Sequence, residues 1–153
     1  MSGTRKLTFI AIVAALYVAL TLINPISFGM FQFRVSAIIS VLPFLDKRFI
    51  PGCILGVCIA NFFSSMGIVD VAAGLLIAVI NYYGVIHLKN IYIQVVCYAL
   101  IAGLIVGLEL YLVAAAPLIF SMISVSLSLV MIMLIGIPVG RILIKNLKAY
   151  KLL

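Results

Sequence analysis

The sequence predicts an all-α integral membrane protein, a single domain over residues 1–153 in which six transmembrane helices form a compact bundle. The first observation is composition: 67% of the residues are hydrophobic and 8% are charged, whereas a soluble domain has about half and a quarter. The second is length, because 153 residues hold about six spans of about 20 residues and little else. The third is the distribution of basic residues, which marks the turns between spans.

The first half of the chain holds three apolar segments, which turn-forming residues separate from one another. Residues 7–24 form the first span, which ends before Pro25 because proline disfavours helix in the residue preceding it. Residues 34–45 form a second segment that is short for a bilayer, so we expect tilt or burial within the protein. The third span covers residues 49–63 and ends at a pair of serines.

The second half of the chain holds three longer apolar segments. The fourth span covers residues 70–87, the fifth residues 91–115, and the sixth follows Pro117 and continues to residue 145. Pro138 lies inside the sixth span, where proline can kink a helix without ending it. The sequence therefore predicts six spans joined by short connections.

Basic residues predict that both termini lie in the cytoplasm, where Lys and Arg collect beside membrane spans. With a cytoplasmic N-terminus, nine of the ten basic residues fall on the inner side. These are Arg5, Lys6, Lys47, Arg48, Lys89, Arg141, Lys145, Lys148 and Lys151. The exception is Arg34, at the outer mouth of the second span. Topology thus explains the net charge of +7 without a nucleic-acid partner.

Four polar residues share one depth near the outer side: Arg34, Asn61, Asp70 and Glu109. An ionisable residue within a span costs about 2.5–3.5 kcal/mol on insertion scales, which favours a partner, a cavity or water beside it. Arg34 and Asp70 could instead contact lipid headgroups, with Asp70 capping a helix. Glu109 lies well inside a span among apolar neighbours. We therefore expect an outward-facing pocket that captures a small molecule.

The sequence lacks the motifs that mark several classes of enzyme and ATP-driven pump. The chain has no GxxxxGK[ST] loop to cradle ATP, no HExxH motif and no cluster of metal ligands. We therefore expect no enzyme activity, no metal and no cofactor in this chain. Six spans without an internal repeat also argue against a self-sufficient secondary transporter.

Small residues recur along the first span at a spacing of four: Ala11, Ala15 and Ala19. Such spacing lets a second helix approach closely. That helix can belong to the same bundle or to a partner protein.

Three stretches resemble the substrate-binding S components of energy-coupling factor (ECF) transporters, and most closely their QueT group. They are AALYVALTLINPISFGMFQFRVS (residues 14–36), LPF (residues 42–44) and IPGCILGVCIANFFSSMGIVDVAAG (residues 50–74). The resemblance covers about the first half of the chain. The rest is similar only in its number of spans and its topology.

The resemblance implies a six-helix bundle in a prokaryotic cell membrane that binds a queuosine precursor, such as queuine or a related deazaguanine, on its extracellular side. It also implies a separate membrane coupling protein, EcfT, and two ABC-type ATPases that use ATP. The alanine spacing resembles the AxxxA motif with which S components dock on EcfT.

A deazaguanine edge offers a ring N–H and an amine side by side, which one carboxylate can accept as a pair. Asp70 or Glu109 could accept them, while Arg34, Asn61 or Gln32 completes a polar rim. Aromatic side chains could stack on the base. The candidates for stacking are Phe31, Phe33, Phe63 and Tyr111.

One position departs from the family pattern FRxSE, because Ala37 stands where that pattern has Glu. Two alternatives therefore stay open. The chain could be an S component for another vitamin-like compound, or a structural or assembly membrane protein without a ligand.

Overall fold

The computed structural model describes residues 3–24 and 33–149, and within these ranges the chain forms helices and no strand. A π-helical turn (Ile80–Gly84) and a 3₁₀ turn (Val85–His87) continue the helix that begins at Ile68. The α-helices are α1 (Gly3–Leu22), α2 (Ala37–Ser40), α3 (Leu42–Leu45), α4 (Ile50–Phe62), α5 (Ile68–Val79), α6 (Ile91–Ala114) and α7 (Leu118–Ala149).

Four helical runs are long and apolar enough to cross a membrane: Gly3–Leu22, Ile68–His87, Ile91–Ala114 and Leu118–Ala149. With α4 and the α2–α3 pair, they account for the six predicted segments. The prediction of an all-helical membrane protein is therefore confirmed. Pro138 lies within α7 and does not end it.

The second predicted segment differs from expectation, because it is two four-residue helices rather than one continuous span. Pro43 at the start of α3 has no N–H to donate, so carbonyl groups in the preceding turn need other partners. The hydroxyl of Tyr82 donates to the carbonyl of Ser40 over 3.2 Å, and the thiol of Cys53 lies 3.6 Å from the carbonyl oxygen of Ile39. Burial within the protein supplies these partners, which makes non-helical backbone tolerable.

Glycine pairs with a spacing of four bring the helices into close contact. Gly52 and Gly56 on α4 face α1, where a β-carbon at either position would lie 2.7 Å from a side chain, that of Val13 or Tyr17. Gly103 and Gly107 on α6 face α7 in the same way, and Gly136 and Gly140 on α7 face the α2–α3 segment. Small residues at this spacing are the usual means of packing helices in lipid, where burial of apolar surface contributes little.

Short connections hold the ends of the helices. Asp46 begins a 3₁₀ turn by accepting from the backbone N–H of Arg48 at 3.0 Å, and its carboxylate pairs with the Arg48 guanidinium at 2.7 Å. These hydrogen bonds keep the pKa of Asp46 below its usual value.

Asn90 caps α6 by accepting from the N–H of Tyr92, and Ala115 ends it in a left-handed conformation with φ 52°. α6 and α7 are therefore antiparallel neighbours.

Candidate functional site

Four polar side chains meet inside the bundle and form a group that we call the polar layer: Arg34, Asn61, Asp70 and Glu109. Nη1 of Arg34 donates to Oδ1 of Asn61 over 3.0 Å. Nδ2 of Asn61 donates in turn to the backbone carbonyl of Asp70 over 2.9 Å. The carboxyl group of Asp70 lies within hydrogen-bonding range of that of Glu109, and the charge of Arg34 acts on Glu109 as well. The structure thus joins the four residues that the sequence placed at one depth.

Close packing of α4 on α5 orients the amide of Asn61. A β-carbon on Gly74 would lie 2.2 Å from Nδ2 of Asn61, so only glycine leaves room for this amide. The amide is 2% exposed, and both of its polar ends have partners. Asn61 therefore positions Arg34 relative to the first turn of α5.

The carboxyl oxygens of the two acids in the polar layer outnumber the donors that the surrounding residues offer them. Asp70 is 6% exposed and Glu109 is 7% exposed. Because ionised carboxylates only accept, contact between the two is a hydrogen bond only when one of them carries a proton. No donor among the described residues bonds either carboxyl oxygen of Glu109. A buried carboxylate that accepts no hydrogen bond lowers the stability of the fold unless a ligand, a proton or water satisfies it.

A cavity of about 30 Å³ lies next to the polar layer, and Arg34 borders both. Its other lining residues include Val57, Gly74 and Val106, each about one helical turn from Asn61, Asp70 or Glu109. The polar layer therefore closes one end of the cavity. This volume holds about one or two water molecules, whereas ligand pockets measure about 300–1,000 Å³. A ring-sized ligand must therefore push side chains apart to bind here.

Aromatic side chains lie at the opposite end of the cavity. Tyr17 and Tyr98 line it, and the Tyr98 ring contacts those of Tyr82 and Phe44 at centroid distances of 6.1 Å. Phe44 and Tyr82 pack edge to face at 5.7 Å. The cavity thus has a charged end and an aromatic end, a combination that suits a planar molecule with a polar edge.

Three of the aromatic residues predicted from the sequence, Phe33, Phe63 and Tyr111, lie away from the cavity. Phe63 is 61% exposed and Tyr111 is 51% exposed, and neither lines the cavity. Phe33 is 42% exposed, and its carbonyl accepts from the side chain of Asn24. Phe31 and Gln32 lie outside the described residues. Stacking by these residues stays a prediction.

Among the polar and aromatic residues that line the cavity, three were not predicted as site residues from the sequence: Tyr17, Ser40 and Tyr98. A signal for Tyr98 exists, because residues 98, 102, 106 and 109 follow one helical stripe that ends in Glu109. Tyr17 faces Gly56 across the contact between α1 and α4. Its spacing from Ala14 places both residues on one face of α1, which could have indicated that Tyr17 is buried. Ser40 lies at the break between α2 and α3, which no local pattern identified.

The alanine face of α1 has no neighbour within the described chain. Ala11, Ala15 and Ala19 are exposed, whereas Val13 and Tyr17 on the other side of the helix are buried against α4. Packing within the bundle therefore does not explain the small residues at positions 11, 15 and 19.

The fold and the polar layer define a membrane protein that crosses the bilayer several times and encloses a charged cavity among its helices. The chain belongs to the QueT transporter family, which it matches over residues 7–145. The family is one of transporters, which agrees with the prediction that the chain is not an enzyme.

A curated relative is similar to part of the chain. The protein "Queuosine precursor transporter QueT" of Lactococcus lactis subsp. cremoris (strain MG1363) is 40% identical to it over 77 residues. Those residues are 48% of this chain and 46% of the relative, so the match spans about half of each. No solved structure matches the chain.

Proposed function

We propose that the chain is the substrate-binding subunit of an ECF-type transporter and captures a queuosine precursor, queuine or a related deazaguanine, at the extracellular side of the cell membrane. Family membership and the name of the relative support a transporter with this kind of substrate. The observation that carries the proposal is the polar layer, in which the buried carboxylate of Glu109 lacks a donor beside a cavity.

The polar layer suits the edge of a deazaguanine. One carboxylate accepts from the ring N–H and the adjacent amine, as the two oxygens of a carboxylate do for paired donors. Arg34 or Asn61 then donates to the ring carbonyl. The ring itself extends into the cavity toward Tyr17 and Tyr98, where aromatic stacking contributes about 1–3 kcal/mol per base in nucleic-acid complexes.

The direction of capture follows from the proposed topology, with both termini in the cytoplasm. The helical run Ile68–His87 begins at the polar layer and ends near Lys89. α4 begins beside Lys47 and Arg48 and ends at the polar layer. Since basic residues mark the cytoplasmic side, the polar layer belongs to the extracellular half of the bundle.

Energy for uptake comes, in this proposal, from separate partners: an EcfT-like membrane coupling protein and two ABC-type ATPases, which use ATP. The chain itself needs no cofactor. The exposed face formed by Ala11, Ala15 and Ala19 is where the coupling protein docks, because small residues allow close approach of helices in lipid.

Thermal stabilisation of the purified chain by a ligand panel tests the proposal. A ligand at 100 times its dissociation constant stabilises the folded state by about 2.7 kcal/mol. We expect queuine or a related deazaguanine to raise the melting temperature, with guanine as the matched control for the ring. Stabilisation by an unrelated vitamin instead would favour the alternative S component that Ala37 leaves open. Stabilisation by none would favour a structural role.

A further inference from the structure

The last turns of α7 carry a stripe of exposed basic residues. Arg141, Lys145 and Lys148 recur at spacings of four and three residues, which places them on one side of the helix. A helix of 32 residues is about 48 Å long, whereas the hydrocarbon core of a bilayer is about 30 Å thick. α7 is therefore longer than the core, and its basic end extends to the level of the lipid headgroups.

A second basic segment lies beside this end of α7. The helix packs on the α2–α3 segment through Gly140, and the charge of Lys148 acts on Asp46, the residue that follows α3. The next two residues, Lys47 and Arg48, are exposed. Two parts of the chain that are far apart in sequence thus gather their cations at one place.

These cations have little negative charge near them. Asp46 is the acid beside them, since the other two acids of the chain lie in the polar layer, and it already pairs with Arg48 at 2.7 Å. Five basic side chains and one carboxylate leave a net charge of +4 at this site. Like charges repel one another, so an anion that enters between the two segments lowers the electrostatic energy.

The stripe continues into the membrane as an apolar surface. Met131, Leu134 and Pro138 precede Arg141 at spacings of three and four residues, and all three are exposed. The same side of α7 is therefore apolar at the depth of the acyl chains and cationic at the depth of the headgroups. This arrangement matches a phospholipid, whose acyl chain and charged headgroup are joined in one molecule.

We infer that the end of α7 and the connection between α3 and α4 form a binding site for a phospholipid with an anionic headgroup. Arg141 and Arg48 suit the phosphate, because a guanidinium can donate to two of its oxygens at once. Lys145, Lys148 and Lys47 add positive charge around it. The apolar stripe favours a lipid over a soluble anion or an acidic protein segment, neither of which has an acyl chain to place there. The inference does not depend on the identity of the transported ligand.

The test compares two lipids with identical acyl chains. Phosphatidylglycerol and phosphatidylcholine both carry a phosphate, but only phosphatidylglycerol has a net negative charge. Binding of acyl-labelled forms to the full chain in detergent is measured by fluorescence anisotropy. We expect phosphatidylglycerol to bind at least about tenfold tighter, and this preference to decrease as salt screens the exposed charges.

Variants locate the site. Lys145→Gln and Lys148→Gln should each reduce the preference about fivefold, which corresponds to about 1 kcal/mol for each cation at an anionic lipid surface. Lys148→Arg keeps the charge and should keep the preference. Lys89→Gln is the matched control, because Lys89 is an exposed basic residue in the connection that precedes α6, and it should leave the preference unchanged.

Three outcomes would overturn the inference. Equal affinity of the parent chain for the two lipids would show that the site does not select an anionic headgroup, and would leave an acidic protein segment as its occupant. Competition by glycerol 3-phosphate as strong as that by the whole lipid would assign the site to a soluble anion. A full preference in the variant that combines Lys145→Gln with Lys148→Gln would place the lipid elsewhere. The first two outcomes are decided on the parent chain, even where a variant does not fold.

Discussion

Arg34, which precedes the α2–α3 segment, and Asn61, which lies near the end of α4, are joined by a hydrogen bond of 3.0 Å from Nη1 to Oδ1. Asn61 extends the connection to α5 through its bond to the carbonyl of Asp70. This single amide therefore links three parts of the chain at the end of the cavity.

Replacement of Asn61 by leucine should destabilise the protein by about 1–3 kcal/mol, because the Arg34 guanidinium and the Asp70 carbonyl lose buried partners. Thermal unfolding in detergent measures the effect. Asn81→Leu is the matched control, since Asn81 is also fully buried but bonds only to Ile77 within its own helix and leaves its Oδ1 without a partner. Equal losses in both variants would show that Asn61 does not link the helices.

Replacement of Gly56 by alanine should destabilise the contact between α1 and α4. The new β-carbon would lie 2.7 Å from Cβ of Tyr17 and 3.2 Å from the backbone Cα of Ala14, and overpacking of this kind costs about 1–3 kcal/mol. Gly84→Ala is the control, because nothing lies within 4 Å of the added atom. Thermal melting of the two variants should differ, and a Gly56 variant as stable as the parent would contradict the tight packing.

Replacement of Ala15 by leucine should impair uptake without weakening ligand binding. The side chain is exposed on α1 and distant from the buried face that supports the cavity, so a bulkier residue obstructs only a partner helix. Radioligand binding to the isolated chain is compared with uptake by whole cells. Ala72→Leu, an exposed alanine on α5, is the control and should affect neither. Loss of binding and uptake together in the Ala15 variant would contradict docking at this face.

The connection between α3 and α4 should face the cytoplasm. In a background without native cysteines, Lys47→Cys should resist an impermeant thiol reagent in intact cells and react in inverted vesicles. Both Lys47 and the control position Ser65 are exposed, and Ser65→Cys should give the opposite pattern. Labelling of position 47 in intact cells would reverse the topology and place the polar layer in the cytoplasmic half.

The Asp46–Arg48 pair should make a small contribution to stability that depends on pH. Because the hydrogen bonds from Arg48 lower the pKa of Asp46 in the folded chain, the contribution is present above the ordinary pKa of about 3.9. It is lost as the pH falls through the lower folded value. Asp46→Asn should therefore lower the melting temperature slightly at neutral pH, and the difference should vanish in acid. A constant difference across this range would show that ionisation of Asp46 contributes nothing.

The sequence predicted the parts of the structure that depend on composition and local pattern. The long apolar runs predicted α6 and α7 closely, and the cost of burying Glu109 pointed to the polar layer. The break after Ser40 could not be predicted locally, since its carbonyl is satisfied by Tyr82, which lies 42 residues further along the chain. The aromatic end of the cavity was missed for the same reason, because tyrosines at an interface and tyrosines in a core look alike in one sequence.

The small volume of the cavity has a consequence for the kinetics of binding. A space of about 30 Å³ has to expand before a ring can occupy it, so the chain must visit an open conformation first or open around an arriving ligand. If opening comes first, the measured affinity is weaker than the intrinsic affinity by the open fraction. The observed association rate should then reach a plateau at high ligand concentration, at a value set by the opening step. Substitutions that loosen the packing around Tyr17 would raise that plateau while leaving the contacts in the polar layer unchanged.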